Sequence, residues 1–222
     1  MIRTSKPLSR AAVGLLVVAI SASACASATA GTAATAPAPG SMSATDSARS
    51  RQSYTAADVR FMSNMIGHHA QAIQVARWAG THGASSQLQI LAGRIINAQR
   101  DEIALMQQWL RERQQPAPAV SETGMMVGHE SHAMHMPGML TEEQMAQLDQ
   151  ARGKEFDRLF LTFMIKHHQG AVSMVKELFS SQGAALDDTV FKLASDVSAD
   201  QTTEIDRMQQ MLAELMFGAQ SP

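Results

Sequence analysis

Cysteine is all but missing: Cys25 is the only one in 222 residues. No internal disulfide framework can form, and a thiolate metal site inside a folded domain goes with it. Positive charge is also short. Arg3, Lys6 and Arg10 fall in an N-terminal leader, and the remaining chain sets 15 basic residues against 20 acidic ones. A balance of about minus five excludes nucleic acid as a partner. The common local catalytic signatures are missing too: there is no Gly-rich phosphate loop, no G-x-S-x-G and no H-E-x-x-H. Beyond the N-terminal region, β-branched runs are few and prolines interrupt the chain in one central break, which points to an all-α fold.

The leader has a recognisable grammar. Its three basic residues precede an apolar run from Ala11 to Ala22, too short for a settled transmembrane helix and typical of an export signal. Ala22-Ser-Ala-Cys25 then resembles the lipid-acceptor site of a bacterial lipoprotein, with Ala22 where leucine is usual; ordinary cleavage at a nearby Ala-Ser-Ala site is the alternative. From Ala26 to Gln52 the chain is Ala, Thr, Ser, Pro and Gly with almost no large apolar residues, so it is read as a flexible tether. The expected organisation is a signal peptide over 1–25, a tether over 26–52 and one folded domain over 53–217.

What the domain does have is a duplication. Asp58-Val-Arg-Phe-Met-Ser-Asn-Met-Ile-Gly-His68-His69 returns 99 residues later as Asp157-Arg-Leu-Phe-Leu-Thr-Phe-Met-Ile-Lys-His167-His168. Gln99-x-x-Glu102-Ile-x-x-Met106 returns 102 residues later as Gln201-x-x-Glu204-Ile-x-x-Met208. Such self-similarity marks a repeated supersecondary unit, here at about 54–115 and 141–217. At 100° per residue, Asp58, Met62, Met65, Ile66, His69, Ile73 and Ala76 share one helix face, and Asp157, Leu161, Met164, Ile165 and His168 repeat it. His68 falls about 100° away, on the flank of that stripe, and is expected to be less deeply set than His69. Gln99 and Glu102 fall on or beside the apolar stripe of the partner helix. Gly93 on that helix is expected to mark a close helix contact. Thr55 with Asp58 reads as a capping box. Two helical hairpins with one apolar face each pack most simply as an antiparallel four-helix bundle.

Two sets of residues could carry chemistry. Asp58, His68, His69 and Glu102, repeated as Asp157, His167, His168 and Glu204, offer imidazole and carboxylate donors suited to copper, zinc or iron. A buried hydrogen-bonded network without metal is the competing reading. The second set lies in the 116–140 connection, where residues 125–139 hold five methionines and three histidines. His129, His132, Met134, His135, Met136 and Met139 provide soft thioethers that favour Cu(I) and imidazoles that take either copper state. A low-complexity or packing segment is the alternative there.

At the doubled D-x-x-F-[ML]-x-x-M-I-x-H-H helix the chain resembles the family called domain of unknown function 305, over roughly Tyr54 to Met216. The resemblance implies a ferritin-like four-helix bundle in an exported, often lipid-anchored bacterial protein, and some members are associated with copper. It implicates Asp58, His68, His69, Glu102, Asp157, His167, His168 and Glu204. The Gln-x-x-Glu segments depart from the Glu-x-x-His of ferritin di-iron sites, so ferroxidase chemistry is not implied. The expected function is extracytoplasmic copper binding, at the outer face of the cytoplasmic membrane or in the periplasm, for buffering or transfer. The rivals are a metal-dependent oxidoreductase with a dinuclear bundle site and a metal-free interaction module. Expected partners are a metal ion and, through Cys25, the membrane; self-association is left open.

Overall fold

The computed structural model describes residues 54–127 and 136–218. The leader, Cys25, the tether, and His129, His132, Met134 and His135 of the connection lie outside the described residues.

Among the described residues, five helices account for nearly all of the regular structure: α1 Ala56–Trp78, α2 Ser86–Glu112, α3 Glu142–Gln150, α4 Gly153–Ser180 and α5 Asp188–Phe217. Local sequence explains where they begin. Thr55 accepts from the N–H groups of Ala57 and Asp58, and Asp58 Oδ2 accepts from Thr55 N at 2.6 Å, so the expected capping box closes. Thr141 with Gln144 closes a second box at α3, and the side chains of Ser85 and Asp187 accept from the first N–H groups of α2 and α5. The connection also forms a short antiparallel pair, β1 Ala119–Val120 with β2 Met126–Val127.

The fold is all-α in class. α1 packs on α2, α4 packs on α5, and the two hairpins meet through α1 and α4. Their apolar faces build two clusters. One joins Ala72, Val75 and Ala76 of α1 with Leu88, Leu91 and Ile95 of α2, Phe156 and Phe160 of α4, and Met208 of α5. The other joins Phe61, Met62 and Met65 of α1 with Met106 and Trp109 of α2, Val175 of α4, and Val190 and Val197 of α5. The C-terminal half of α1 thus shares a cluster with the N-terminal half of α4, so these two helices run antiparallel.

Each repeat is latched to the other at its turn. Asp58 Oδ1 of the first repeat accepts from Ala185 N, in the turn of the second hairpin, at 2.7 Å. Asp157 of the second repeat accepts from Ser85 N, in the turn of the first, with both oxygens at 3.2 Å. A buried carboxylate that satisfies a turn N–H fixes the turn and offsets its own desolvation.

The connection is seated against the helices at glycines. Gly138 has φ +79°, and a Cβ there would lie 2.5 Å from Lys166 O; a Cβ on Gly170 would overlap the Pro137 carbonyl. Gln71 clasps the same segment, donating to Leu140 O at 3.0 Å and accepting from Leu140 N at 2.8 Å. The close contact expected at Gly93 is not found: nothing lies within 4 Å of the position its Cβ would take.

Candidate metal centre

A polar layer separates the two apolar clusters. His68, His69 and His168 have no exposed surface, His167 is 1% exposed, and Gln99 and Gln201 are buried with them. The expectation that His68 lies less deep than His69 is therefore corrected. The flank of α1 that carries His68 faces α4, so α1 is buried on two sides, against its own hairpin and against the other.

The 100° between adjacent residues gives the members of each pair different neighbours. His69 Nε2 lies 2.6 Å from Glu102 Oε2 on α2. That contact is close enough for an ion pair but is not aligned as a hydrogen bond, and His69 Nε2 has no hydrogen-bond partner. His168 Nε2 donates to Glu204 Oε2 on α5 at 2.8 Å. The other two imidazoles face each other across the hairpin seam, with His68 and His167 ring centroids 3.8 Å apart and tilted by 38°. His68 also donates from Nε2 to the Pro137 carbonyl of the connection at 3.0 Å.

Electrostatics make these two rings neutral. Burial, and then the neighbouring His69, lower the His68 pKa to about 3. His167 is lowered well below its ordinary value by burial and by the three other imidazoles. A carbonyl can only accept, so the neutral His68 carries its proton on Nε2 and leaves the Nδ1 lone pair bare. Among the described residues, His68 Nδ1 has no partner, and His167 has none at either ring nitrogen. A buried imidazole nitrogen that is deprotonated and unpaired is ready to ligate without first giving up a proton.

Two methionines reach α1 at the residue next to His68. Gly67 precedes His68 on α1, and the place its Cβ would take lies 3.5 Å from Met136 Cε and 4.0 Å from Met126 Sδ. Met126 enters from β2 and Met136 from the segment that gives Pro137. Met139 lies further along, in a cleft with Leu140, Phe163 and Lys166.

Not every expected residue joins the layer. His68, His69, His167, His168, Glu102 and Glu204 do, with Met136 at its edge. Asp58 and Asp157 do not: each sits ten residues before its histidine pair, roughly 15 Å along the helix, and is engaged as a latch at a turn. Sequence reasoning placed no role on Met126; the available signal was Gly67, a residue too small to cover its own stretch of helix. Among the described residues, no three His, Cys, Asp or Glu side chains converge into a ready cage for a metal ion. The soft donors extend that set on the His68–His167 side.

The sequence model of the DUF305 family, described as a domain of unknown function, matches residues 58–212. No curated protein matches the chain. The crystal structure of a DUF305 fragment from Deinococcus radiodurans is similar, at 29% identity and TM-score 0.61, covering 72% of this chain and 98% of that one. A DUF305 protein from Streptomyces coelicolor shares 28% identity at TM-score 0.61, with 72% and 92% of the two chains covered. CopM in its Cu(II)-bound form shares 30% identity at TM-score 0.56, covering 71% of this chain and 96% of that one. CopM is also known in Cu(I)-bound and silver-bound forms.

Proposed function

The chain belongs to the DUF305 family, and from that premise we propose that it is an exported copper-binding protein that buffers the metal or hands it on. One observation carries the reading: the neutral nitrogens of His68 and His167, unpartnered among the described residues, lie in the protein interior, and the side chains of Met126 and Met136 reach Gly67, the residue next to His68. An imidazole–thioether set is soft and of low charge, which suits Cu(I) and its chemical stand-in Ag(I). CopM, a structural relative bound to Cu(I), Cu(II) and silver, supports the same choice of metal. The two hairpins are read as a ferritin-like antiparallel four-helix bundle whose repeats each bring one imidazole to the shared position. Met134 with His129, His132 and His135 adds donors from the connection, and Met139 continues the set on the far side of Pro137. The basic and apolar leader delivers the chain outside the cytoplasm, with Cys25 as the lipid acceptor.

Packing alone gives no reason to keep either imidazole. Stranding a buried polar atom costs on the order of 1–3 kcal/mol, and His167 strands two in the absence of a ligand. A metal ion would relieve both His68 Nδ1 and one nitrogen of His167 at once. Cu(I) titration against a competing chelator tests the reading. His167→Ala, and separately Met126→Leu combined with Met136→Leu, should each weaken binding by tenfold or more. Unchanged Cu(I) affinity in both variants would remove this site from the function.

A further inference from the structure

The end of the bundle at which α1 begins carries an uncovered apolar face. Phe179 in the last turn of α4, Leu186 in the turn that follows and Phe191 in the first turn of α5 are 45%, 66% and 55% exposed. The two phenyl rings lean on each other, with centroids 5.8 Å apart and planes at 55°, so they form one ridge. Single exposed apolar residues need no explanation, whereas a packed group marks a contact. The other large apolar residues exposed among the described ones lie elsewhere. Ile90 and Leu105 stand apart on α2, and Met216 and Phe217 close α5 at its opposite end, roughly 45 Å away.

The polypeptide enters the bundle at the same end. Tyr54, the first described residue, sets its ring edge-on against Trp109 at 5.4 Å, and the Arg113 guanidinium lies over both rings, at 5.6 Å and 4.3 Å. Arg113 in turn donates to Asp187 at 2.6 Å, and Trp109 Nε1 donates to the same carboxylate at 3.1 Å. Asp187 directly follows Leu186, so the entry point is pinned to the turn that carries the ridge. Thr55 packs there too, its methyl 3.7 Å from the place a Cβ on Gly183 would take. Residues 26–53 separate this point from Cys25. A flexible chain of that length averages roughly 30 Å end to end. That is shorter than the bundle, so the end bearing Tyr54 is the one presented to a surface that holds Cys25.

We propose that Phe179, Leu186 and Phe191 form a membrane-contacting face that seats the bundle on the bilayer holding its own anchor, an inference that rests on the reading of Cys25 as a lipid acceptor. A second copy of the chain is a poorer occupant. Three partly exposed side chains fall well short of the roughly 800 Å² per partner that a stable protein interface buries. A bilayer needs no matching patch, and the tether makes the contact intramolecular, so a weak apolar ridge suffices. The charged residues flanking the ridge, Lys176, Glu177, Asp188 and Lys192, are exposed and cancel in sum, so lipid headgroups are not repelled. Seated in this way, the bundle holds its histidine layer roughly 15–20 Å from the membrane, the rise of α1 from its first residue to His68.

Tryptophan quenching tests the face on the full chain, produced in a bacterial host that processes lipoproteins. The protein is reconstituted into vesicles of phosphatidylethanolamine and phosphatidylglycerol, with and without bromine on the acyl chains. Leu186→Trp places a reporter on the ridge at a mostly exposed side chain, so folding is not at risk. Trp78, at the far end of α1, and the buried Trp109 set the baseline in the parent. In brominated vesicles Leu186→Trp should lose a larger share of its fluorescence than the parent, and adding Phe179→Ser and Phe191→Ser should abolish the difference. Quenching equal to the parent's, in a chain whose mass shows acyl groups on Cys25, overturns the docking face and leaves the anchor standing. A chain exported without acyl mass on Cys25 overturns the anchor reading, and the docking face falls with it. A dimer in detergent that Phe179→Ser with Phe191→Ser converts to monomer, with no extra quenching of Leu186→Trp, overturns the proposal by assigning the face to a second copy.

Discussion

Two glycines on equivalent-looking helical ground should respond to alanine in opposite directions. At Gly170 on α4 the added methyl would occupy the space of the Pro137 carbonyl, with Gly138 Cα also closer than contact distance at 2.8 Å. The connection must lift. Lifting it breaks the 3.0 Å bond from His68 Nε2 to Pro137 O and strands a buried donor, about 1–3 kcal/mol. Overpacking the seat adds about 1–3 kcal/mol, and the better helix propensity of alanine returns up to about 1 kcal/mol. The net loss for Gly170→Ala is therefore roughly 1–6 kcal/mol. Gly93 is the control, because nothing lies within 4 Å of its absent Cβ. Gly93→Ala should gain up to about 1 kcal/mol from propensity alone. Urea denaturation of both metal-free variants reads the difference as a shift in midpoint at constant slope. Gly170→Ala as stable as the parent would mean that the connection does not rest on α4 as described.

Acid should loosen the metal-free protein through its buried imidazoles. The folded-state pKa of His68, about 3, lies below its unfolded value of about 6.5. The unfolded chain therefore binds the extra proton between these limits; stability is full above pH 6.5 and is lost as pH falls towards 3. His68 alone should cost about 2 kcal/mol between pH 7 and pH 5, and the lowered His167 acts in the same direction. A denaturation midpoint that does not move between those two pH values would refute the neutral layer. Asp58→Ala removes both the capping box of α1 and the bond to Ala185 N, and should destabilise by about 2–4 kcal/mol; a loss below about 1 kcal/mol would show that the latch is dispensable. His68→Ala and His69→Ala should destabilise the metal-free protein to a similar degree, since both side chains are fully buried. A markedly smaller loss for His68→Ala in chemical denaturation would return it to the rim.

What the sequence made legible was what repeats or acts locally. The Thr55–Asp58 box is an i to i+3 device, and His69 with Glu102 and His168 with Glu204 stand out because each residue sits at the same place within its repeated segment. The second task of Asp58 was hidden because its partner, Ala185 N, lies 127 residues away. Asp157 was hidden likewise, by its bond to Ser85. Both aspartates fall on the same helical stripe as the histidines, so phase alone grouped them into one site; distance along the helix axis separates them. The depth of His68 was hidden for a related reason. A helical wheel reports one apolar face, and α1 has a second buried flank that exists only once α4 arrives. Met126 could not be assigned at all from spacing, because its approach to Gly67 depends on the β1–β2 turn.

The position of the layer explains why it can stay unsatisfied without dissolving the fold. Apolar clusters close it from above and below, each drawing on all four long helices, and the Asp58 and Asp157 latches tie the hairpin turns at opposite ends. The nitrogens of His68 and His167 that lack partners among the described residues lie between the two clusters. The stability lost in the layer is supplied by packing elsewhere, and the result is a set of donors fixed before the ligand arrives. Preorganisation of that kind favours binding, because the protein does not have to be ordered again when the ion enters. The connection closes over one side of the layer and the carboxylates open the other.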